Sequence, residues 1–410
     1  MRLLIVYFCY FIPLVLKNVR FSQQPGERYI HSHDGRKRSF RTAIQGENHD
    51  SPLENPHRDK KALQNAFRIL KFVGYISLFF NSAAWAQDNV VNVYNWSSYI
   101  SSDVLKEFTQ ETGIKVNYAT YDSNETMYAK LKANPTSGYD IVVPSTYFVD
   151  RMRKQGMLQP LDKAKLSNFK YLNPALLNKA YDPDNRYSIP YFWSVTGIAV
   201  NTHYHALSEV QNWADFWKPE YRKQLLLLDD MHEVFSIALL VLGYSPNDGN
   251  PEHIRQAYLK LRQLMPNVRL FNADGVKSLF IDEDLTLGMG WNGDIYQAAQ
   301  ENSGIQFVYP KDGFVVSIDS MAIPIGATHL NNAYRFINFI LRPDIAKKIS
   351  LATGYASPNE GAVKLMPKSI LSNPMIYPAQ SILKRSVVQA DVGDAESIYQ
   401  KYWELLKIGG

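Results

Sequence analysis

From Val90 onwards, short β-rich runs alternate with stretches of helical periodicity, and this alternation constrains the fold more than any other feature of the chain. Val90–Tyr94, Ile114–Tyr121 and Tyr139–Val143 are predicted strands, and the stretches Asp103–Thr112 and Glu125–Ala133 between them are predicted helices. Strands that alternate with helices in this way are typical of βαβ units, in which the strands run parallel within one sheet. The first part of the body is therefore predicted to be α/β.

The same alternation returns in the second half of the chain. Further strands are predicted at Val195–Val200, Leu225–Leu228, Leu285–Met289, Gln306–Tyr309 and Ser317–Ile323. Further helices are predicted at Val149–Gln155, Asp230–Gly243, Pro251–Leu264, Asn331–Leu341, Ile345–Thr353 and Asp394–Lys407. A pattern running from residue 87 to residue 410 exceeds one usual domain of roughly 100–200 residues, so two lobes are expected. The expected site is a cleft between them, at the carboxyl ends of strands.

Charge is divided unevenly along the chain. Residues 1–86 hold 13 Lys and Arg against 6 Asp and Glu, whereas residues 87–410 hold 31 against 33. The basic excess thus belongs to the N-terminal segment, and the mildly acidic body argues against nucleic acid as a partner. Cys9, the only cysteine, also lies in that segment, which excludes disulfides, thiolate nucleophiles and cysteine-ligated metals from the body.

The first 86 residues are expected to be a leader outside the fold. The apolar run Ile69–Phe80 follows a basic segment and leads into Ala84-Trp85-Ala86, which is the order of a secretory signal with its small-residue cleavage site. Residues 18–59 are polar and aperiodic. They fit either an over-extended start of the reading frame, with translation beginning near Lys60, or a region behind a membrane anchor at Leu3–Leu16. Export of the body is the expectation.

Signatures of common enzyme classes are missing from the sequence. There is no P-loop, no dinucleotide-binding glycine motif after a strand and no nucleophile elbow, and His232-Glu233 lacks the second histidine of a zinc-protease helix. A hydrolase with Asp230 and Glu233 as acid and base is an alternative, although carboxylates three positions apart on one helix face the same side instead of flanking a bond. A non-catalytic protein without a cofactor or metal is the leading prediction.

Aromatic and acidic residues follow several predicted strands. The side chains concerned are Trp96, Tyr99, Tyr147, Asp230, Glu233, Trp291, Asp294 and Asp319. Because carboxylates pair with ammonium groups, and ring faces cover methylenes and attract cations, this combination favours an elongated organic cation as ligand. Local structural roles are the alternative: Asp230 with Glu233 fits a helix-capping pair, Trp96 and Trp291 fit a core, and Asp319 fits a turn.

Long runs of the body resemble the spermidine/putrescine-binding receptors of bacterial polyamine ABC importers. The runs are Tyr94–Trp96, Glu111–Val116, Ser123–Leu131, Asp140–Tyr147 and Asp391–Gly393, and the resemblance extends from about Val90 to the C-terminus. It implies an α/β, two-lobed type II periplasmic binding protein fold with crossing hinge segments. It also implies a periplasmic protein that captures a polyamine and delivers it to a permease in the inner membrane.

The same resemblance implies a set of ligand-binding residues. The set is Trp96, Ser97, Tyr99, Ser145, Tyr147, Asp230, Glu233, Trp291, Asp294, Asp319, Tyr355 and Gln389. In the family the equivalent of Asp319 pairs with one polyamine nitrogen and the equivalent of Glu233 with another. Lobe 1 is expected to comprise residues 89–194 and 318–363, and lobe 2 residues 195–317 and 364–410.

Three positions depart from the family pattern. Ser98 stands where spermidine-preferring members have a glutamate and putrescine-specific members an aspartate. Ser317 stands where spermidine receptors carry a tryptophan, whereas Asp294 is the acid of putrescine-type receptors. The pocket is therefore predicted to combine features of both types. The protein is expected to be a monomer, and a receptor of the same fold for another cationic solute, or for iron held by tyrosines such as Tyr99 and Tyr147, is an alternative.

Overall fold

The computed structural model describes residues 89–409. The predicted leader, with its signal and cleavage site, lies outside the described residues. Within the part that is described, no helix is both long enough and apolar enough to cross a bilayer.

One ten-stranded sheet runs through the described chain. In chain order, strands β1 to β10 are Val90–Trp96, Lys115–Tyr121, Ile141–Val142, Ser188–Asn201, Leu225–Leu227, Val268–Phe271, Leu287–Trp291, Ile305–Val308, Phe314–Ala322 and Ser386–Val388. Helices α1 to α13 are Ser102–Thr112, Asn124–Ala133, Thr146–Lys154, Met231–Val241, Pro251–Leu264, Val276–Ile281, Asn292–Glu301, Leu330–Ile340, Pro343–Thr353, Glu360–Leu365, Lys368–Leu371, Gln380–Leu383 and Glu396–Ile408. Short 3₁₀ turns fill much of the segment between α3 and β4.

The sheet is mixed, and the predicted parallel pairing is confirmed at its two ends and where β10 pairs with β9. Strand β1 pairs in parallel with β2 and β3, and β5 pairs in parallel with β6 and β7. Between these groups β4 pairs antiparallel with β9, and β4 continues antiparallel to β7 and β8. A helix that crosses over between two strands produces parallel pairing. The loop between β8 and β9 is short and contains no helix, so it provides no such crossover. The α/β class is confirmed.

Local sequence accounts for several element ends. In α1, Val104 and Phe108 are one turn apart and both buried, and Gly113 ends the helix at φ 70° with its N–H donated to the Thr109 carbonyl. Helix α2 begins after Ser123, whose side chain accepts a hydrogen bond from the backbone N–H of Thr126. These elements lie close to their predicted bounds because their signals are local.

Other bounds differ from prediction where tertiary pairing decides them. Strand β3 shrinks to two residues, and β4 begins at Ser188, well before the predicted start at Val195. Pro190 weakens the strand pattern there, and the pairing of β4 with β9 shifts register beside it. Strand β6 and helices α6 and α7 were not predicted, because each is short or lacks a clear apolar period.

Two groups of apolar clusters fill the described structure. One cluster is drawn mostly from residues 198–305, with Ala395, Tyr399 and Leu406 from the C-terminal segment. Two other clusters combine residues 91–192 with residues 321–355. Both groups flank β4 and β9, so these two long strands connect them. The cavity described next is lined by residues from both groups of elements.

Candidate functional site: an acidic and aromatic cavity

A cavity of about 840 Å³, part of it open to solvent, lies at the ends of several strands. All twelve residues of the predicted set line it: Trp96, Ser97, Tyr99, Ser145, Tyr147, Asp230, Glu233, Trp291, Asp294, Asp319, Tyr355 and Gln389. The structure therefore brings the whole set together, although its members are spread over most of the chain. Whether each contacts a ligand remains a prediction.

Asp319 is the most enclosed polar group of the cavity wall contributed by β9. Its side chain is 3% exposed, and it accepts hydrogen bonds from the Ser145 hydroxyl at 2.6 Å and the Tyr99 hydroxyl at 2.9 Å. Burial raises the pKa of Asp319 to about 6, while the two hydroxyl donors pull it down. The carboxylate is thus held in one orientation by neutral donors that leave its negative charge uncompensated.

A small polar network holds Ser145, one of the two hydroxyl donors to Asp319, in place. Asn124, at the start of α2, donates from one amide nitrogen to the hydroxyls of Ser145 and Tyr147, each at 3.1 Å. Its amide oxygen accepts the backbone N–H of Ser145 at 3.1 Å, and all three residues are buried. Asn124 was not predicted, because an asparagine at a helix start has the ordinary appearance of a capping residue.

Asp230 and Glu233 stand at the N-terminus of α4. Asp230 is the N-cap, and its Oδ1 accepts the backbone N–H of Glu233 at 3.0 Å, so the capping role considered for Asp230 is confirmed. Glu233 is 3% exposed, and its Oε2 is buried without a hydrogen-bond partner. Burial, followed by the negative charge of Asp230, raises the pKa of Glu233 to about 8, against the opposing effect of Thr196 and Trp291. Once Glu233 releases its proton, Oε2 can accept a hydrogen bond from a ligand.

Asp294 and Tyr355 form the wall that follows β7. Asp294 lies in the first turn of α7 and accepts a hydrogen bond from the Tyr355 hydroxyl at 3.0 Å. Burial raises its pKa to about 6, and the Tyr355 bond and the positive charge of Lys277 act in the opposite direction. A Cβ on Gly293 would come within 2.6 Å of the Tyr355 ring, so the ring position depends on glycine there.

Aromatic rings cover further parts of the cavity wall. The Tyr99 ring lies 6.1 Å from the Trp96 ring and 5.1 Å from the Tyr355 ring, as centroid distances. Trp96 donates its indole N–H to the Val143 carbonyl at 2.9 Å, which anchors it while one face stays half-exposed. Trp291, the last residue of β7, is also half-buried. Both tryptophans pack against apolar core clusters and also line the cavity, so the core role considered as an alternative and a place in the cavity wall occur together.

Three further positions complete the rim. Ser97 is exposed, and Ser98 beside it adopts φ 58°, a conformation uncommon for residues other than glycine. Gln389 is buried, and its backbone carbonyl accepts the Thr146 hydroxyl at 2.7 Å. Gln389 directly follows β10, so its placement depends on α3 as much as on that strand.

Sequence reasoning missed several lining residues. They are Asp122, Asn124, Ser194, Ala273, Asp274, Lys277 and Gln297. Asp122 follows β2 directly, so the rule that loops after strands line the site could have found it. Lys277 and Gln297 lie on the unpredicted helices α6 and α7, and no local signal marks them.

One cluster next to the cavity has metal-ligand side chains. Glu125, His232 and Glu396 place ligand-type atoms within 4.8 Å of one another. Glu396 already accepts His232 at 3.0 Å and Arg151 at 2.7 Å, and these two neighbours help to hold its pKa near 2 against burial. Because the Arg151 guanidinium satisfies this carboxylate, the cluster is better described as an ion-pair network than as a metal centre.

The fold and the cavity together define a class of protein. A mixed sheet crossed by two long strands, with a deep polar and aromatic cavity beside them, is the architecture of a solute-binding receptor. The chain belongs to the family of bacterial extracellular solute-binding proteins, whose model matches residues 103–376. The α/β periplasmic binding protein fold predicted from the sequence is thereby confirmed.

Similarity to known proteins narrows the class of solute-binding protein that this chain resembles. The chain is 47% identical over 342 residues to the spermidine/putrescine-binding periplasmic protein of Escherichia coli, covering 83% of this chain and 98% of that protein. It is 35% identical over 344 residues to the putrescine-binding periplasmic protein of E. coli, covering 79% and 93%. A solved spermidine/putrescine ABC transporter substrate-binding protein from Streptococcus pneumoniae is 34% identical, covers 78% and 99%, and superposes with a TM-score of 0.67. These relatives are binding proteins of transport systems and not enzymes, which agrees with the leading prediction and not with the hydrolase alternative.

Proposed function

We propose that this protein is the periplasmic receptor of a polyamine ABC importer, which binds putrescine or spermidine and delivers it to a permease in the inner membrane. The observation that carries the proposal is the cavity itself. Asp319, Glu233 and Asp294 lie in a space whose wall also contains five aromatic side chains and several polar ones. Buried carboxylates without a paired cation carry a large desolvation penalty, so such a cavity favours ligands with several positive charges.

The chemistry of a polyamine fits this wall pattern. Its ammonium groups can donate to Asp319, which keeps two neutral donors, and to the unpartnered Oε2 of Glu233. Its methylene segments can lie against the half-exposed faces of Trp96 and Trp291, where an ammonium over a ring adds about 0.5–2 kcal/mol. Only a ligand in which charged groups alternate with hydrocarbon segments can make both kinds of contact at once.

Binding is proposed to close two lobes around the ligand. The lobes are residues 89–194 with 318–363, and residues 195–317 with 364–410. The separate apolar clusters on either side of β4 and β9 support this division. The two strands would act as the hinge, because hinge closure around a ligand concentrates the change in a few connecting residues.

The iron alternative fits the site less well. Phenolate ligands of iron must lose their protons, but burial raises the pKa of Tyr99 and Tyr147 well above the usual value. Tyr99 also donates its hydroxyl proton to Asp319. Both tyrosines are therefore held as neutral hydroxyls, which suits an organic cation held by the neighbouring acids.

A ligand screen tests the proposed function. Putrescine, spermidine, spermine and cadaverine are compared with neutral amino acids, sugars and ferric citrate for their effect on the melting temperature. A ligand at 1,000 times its Kd stabilises the folded state by about 4 kcal/mol, so a polyamine should raise the melting temperature by several degrees. A shift with an amino acid, a sugar or iron, but none with any polyamine, would overturn the proposal.

Export and a monomeric state complete the proposal. The signal-like order of residues 60–86 and the periplasmic relatives support export. Cell fractionation, with N-terminal sequencing of the mature protein, is expected to find it in the periplasm beginning near Gln87. Light scattering of the purified protein is expected to give the mass of one chain, and a stable dimer would contradict that part.

A further inference from the structure

Ser145 is a helix-capping residue whose hydroxyl does not cap its helix. It is the N-cap of α3, where a serine ordinarily accepts a hydrogen bond from a backbone N–H of the first turn. Its side chain makes no such bond, and its Oγ donates to Oδ1 of Asp319 at 2.6 Å. The start of α3 therefore lacks a local stabilising bond, and the hydroxyl is turned towards an acid of the cavity wall.

Asn124 has a side chain in which every polar hydrogen and the oxygen are used. This side chain is 2% exposed, and its Oδ1 accepts the backbone N–H of Ser145 at 3.1 Å. A backbone N–H can only donate, so Nδ2 must be the atom that faces the hydroxyls of Ser145 and Tyr147, each at 3.1 Å. Capping of α2 does not involve this amide, because Ser123 provides the cap.

The hydrogen bonds from Asn124 to Asp319 run in one direction. The Ser145 oxygen receives a proton from Asn124, and its own single proton is donated to Asp319. Donors that are linked in this way polarise one another, which strengthens the last bond of the series. Asp319 is thus stabilised as a carboxylate by neutral groups, without a positive charge that would compete with a ligand.

Other titratable groups around Asp319 do not supply a positive charge. Those that interact with it are four tyrosines and one acid: Tyr99, Tyr121, Tyr181, Tyr355 and Glu233. Burial raises the pKa of each tyrosine, so all four are neutral hydroxyls near pH 7. Among the described residues, the charge of Asp319 therefore depends on its two hydroxyl donors, Ser145 and Tyr99.

We infer that Asn124 is a positioning residue of the ligand site, which directs the Ser145 proton at Asp319 and so keeps this carboxylate charged for a ligand ammonium group. The inference rests on the proposed function. Burial raises the pKa of Asp319 to about 6, and the Ser145 bond opposes this effect. Without Asn124, the Ser145 hydroxyl is free to turn back to the N-terminus of α3, and Asp319 then loses a donor.

A double-mutant cycle tests whether Asn124 acts through Ser145. The Kd for putrescine is measured by calorimetry at pH 7 for the wild-type protein, Asn124→Ala, Ser145→Ala and the double variant. Asn124→Ala alone should weaken binding by about tenfold. In the Ser145→Ala background the same change should weaken it by less than about twofold, because the hydroxyl is already absent. Equal losses in the two backgrounds would overturn the inference.

A titration of the ligand-free protein measures the charge of Asp319 directly. The carboxyl carbon of Asp319 is followed by carbon-13 NMR as the pH changes, and its signal is identified by its absence in Asp319→Asn. In Asn124→Ala the midpoint should lie at higher pH than in the wild-type protein, because a donor to the charged form is lost. An unmoved midpoint would overturn the inference, since a purely structural role predicts no change.

A matched control removes another buried asparagine. The amide of Asn267 donates to the backbone carbonyls of Phe216 and Lys218, each at 2.8 Å, and Asn267 does not line the cavity. Asn267→Ala should lower the melting temperature and leave the putrescine Kd and the Asp319 midpoint unchanged. Equal changes in Asn267→Ala would show a general loss of structure and overturn the inference. If Asn124→Ala does not fold, Asn124→Ser replaces it in both experiments.

The two experiments separate this inference from the proposed function. If the wild-type protein binds no polyamine, the proposed function fails, and the NMR midpoint still shows whether Asn124 controls the charge of Asp319. If the wild-type protein binds putrescine, but the cycle is additive or the midpoint does not move, only the inference about Asn124 fails.

Discussion

At the scale of single residues, the main feature of the cavity is that two of its acids have no positively charged side chain as a partner among the described residues. Asp319 receives two neutral hydroxyl donors, and Glu233 keeps one carboxylate oxygen without any donor. Neutral donors orient a carboxylate without cancelling its charge. The acids therefore keep a strong preference for a cation that brings its own charge into the cavity.

Removing the charge of Asp319 should weaken polyamine binding strongly. Asp319→Asn keeps the shape of the side chain but leaves one ammonium group buried without its partner, which costs about 3–5 kcal/mol, or two to four orders of magnitude in Kd. Calorimetry with putrescine measures the change. Asp103→Asn, at an exposed position of α1, is the matched control. Wild-type affinity in Asp319→Asn would show that the ligand lies elsewhere.

Polyamine affinity should rise with pH between 5 and 8. Burial raises the pKa of Asp319 and Asp294 to about 6 and that of Glu233 to about 8, the last with help from the charge of Asp230. Only ionised carboxylates pair with ammonium groups, so binding must release protons that these acids hold in the free protein. We expect a gain of at least about tenfold between pH 5 and pH 8.

Calorimetry in buffers of different ionisation enthalpy measures that proton release directly. Release near pH 7 should fall in Glu233→Gln, because the variant has no proton to lose there. Proton uptake on binding, or an affinity that falls as the pH rises, would contradict the assignment of these acids. The same raised pKa values stabilise the ligand-free fold at low pH, and that stabilisation is lost as the pH rises from about 4 through 8.

At the scale of elements, two helix starts position the acids. Asp230 caps α4 with its own carboxylate, and this places Glu233 in the first turn, where the helix dipole favours negative charge. Helix α7 begins directly after Trp291, and Asn292 accepts the backbone N–H of Val195 from β4 at 2.9 Å. The end of β7, the start of α7 and strand β4 are thus joined at one point, which sets the position of Asp294.

Gly293→Ala should disturb the site through α7. The added methyl group would meet the Tyr355 ring at 2.6 Å, so the ring must move and its hydrogen bond to Asp294 must weaken. Overpacking of this kind costs about 1–3 kcal/mol of folding stability, and putrescine affinity should fall as well. Thermal unfolding and calorimetry measure the two effects. Gly249→Ala is the control, since the nearest atom there is 3.9 Å away, and equal effects in both variants would contradict the close-contact argument.

At the scale of the whole molecule, the long strands β4 and β9 connect the two groups of apolar clusters. Their antiparallel pairing covers Ser188–Val195 and Val316–Ala322, and β9 also carries Asp319. Under the proposed function, a ligand bound to Asp319 would contact a strand that joins both parts. Ligand capture and the proposed lobe closure would then be parts of one process.

Lobe closure predicts a smaller molecule in the presence of ligand. The radius of gyration from small-angle X-ray scattering should fall when saturating putrescine is added, because the lobes close on it. Asp319→Asn at the same putrescine concentration should keep the larger radius. A radius that is unchanged in the wild-type protein under saturating ligand would contradict the hinge mechanism.

Sequence patterns predicted the parts of the fold with local signals. Helix α5 spans its predicted residues Pro251–Leu264, with proline in its first turn, whereas β4 was predicted only in its second half. The difference is physical: capping residues and apolar periodicity act within a few positions, but strand pairing depends on a partner far away in the chain. The mixed sheet could not be inferred for the same reason.

The sequence by itself determined the α/β class and the acidic and aromatic residues that follow the strands, and through the family resemblance it predicted twelve ligand-binding residues, which line one cavity. These features could be predicted because side-chain chemistry and local periodicity can be taken directly from the sequence, without knowledge of distant contacts. Only the tertiary structure decided that Asp319 is held by Ser145 and Tyr99, that Glu233 keeps an unpartnered oxygen, and that Lys277 enters the cavity. Those facts depend on distances between residues remote in sequence, which are fixed only when the sheet assembles.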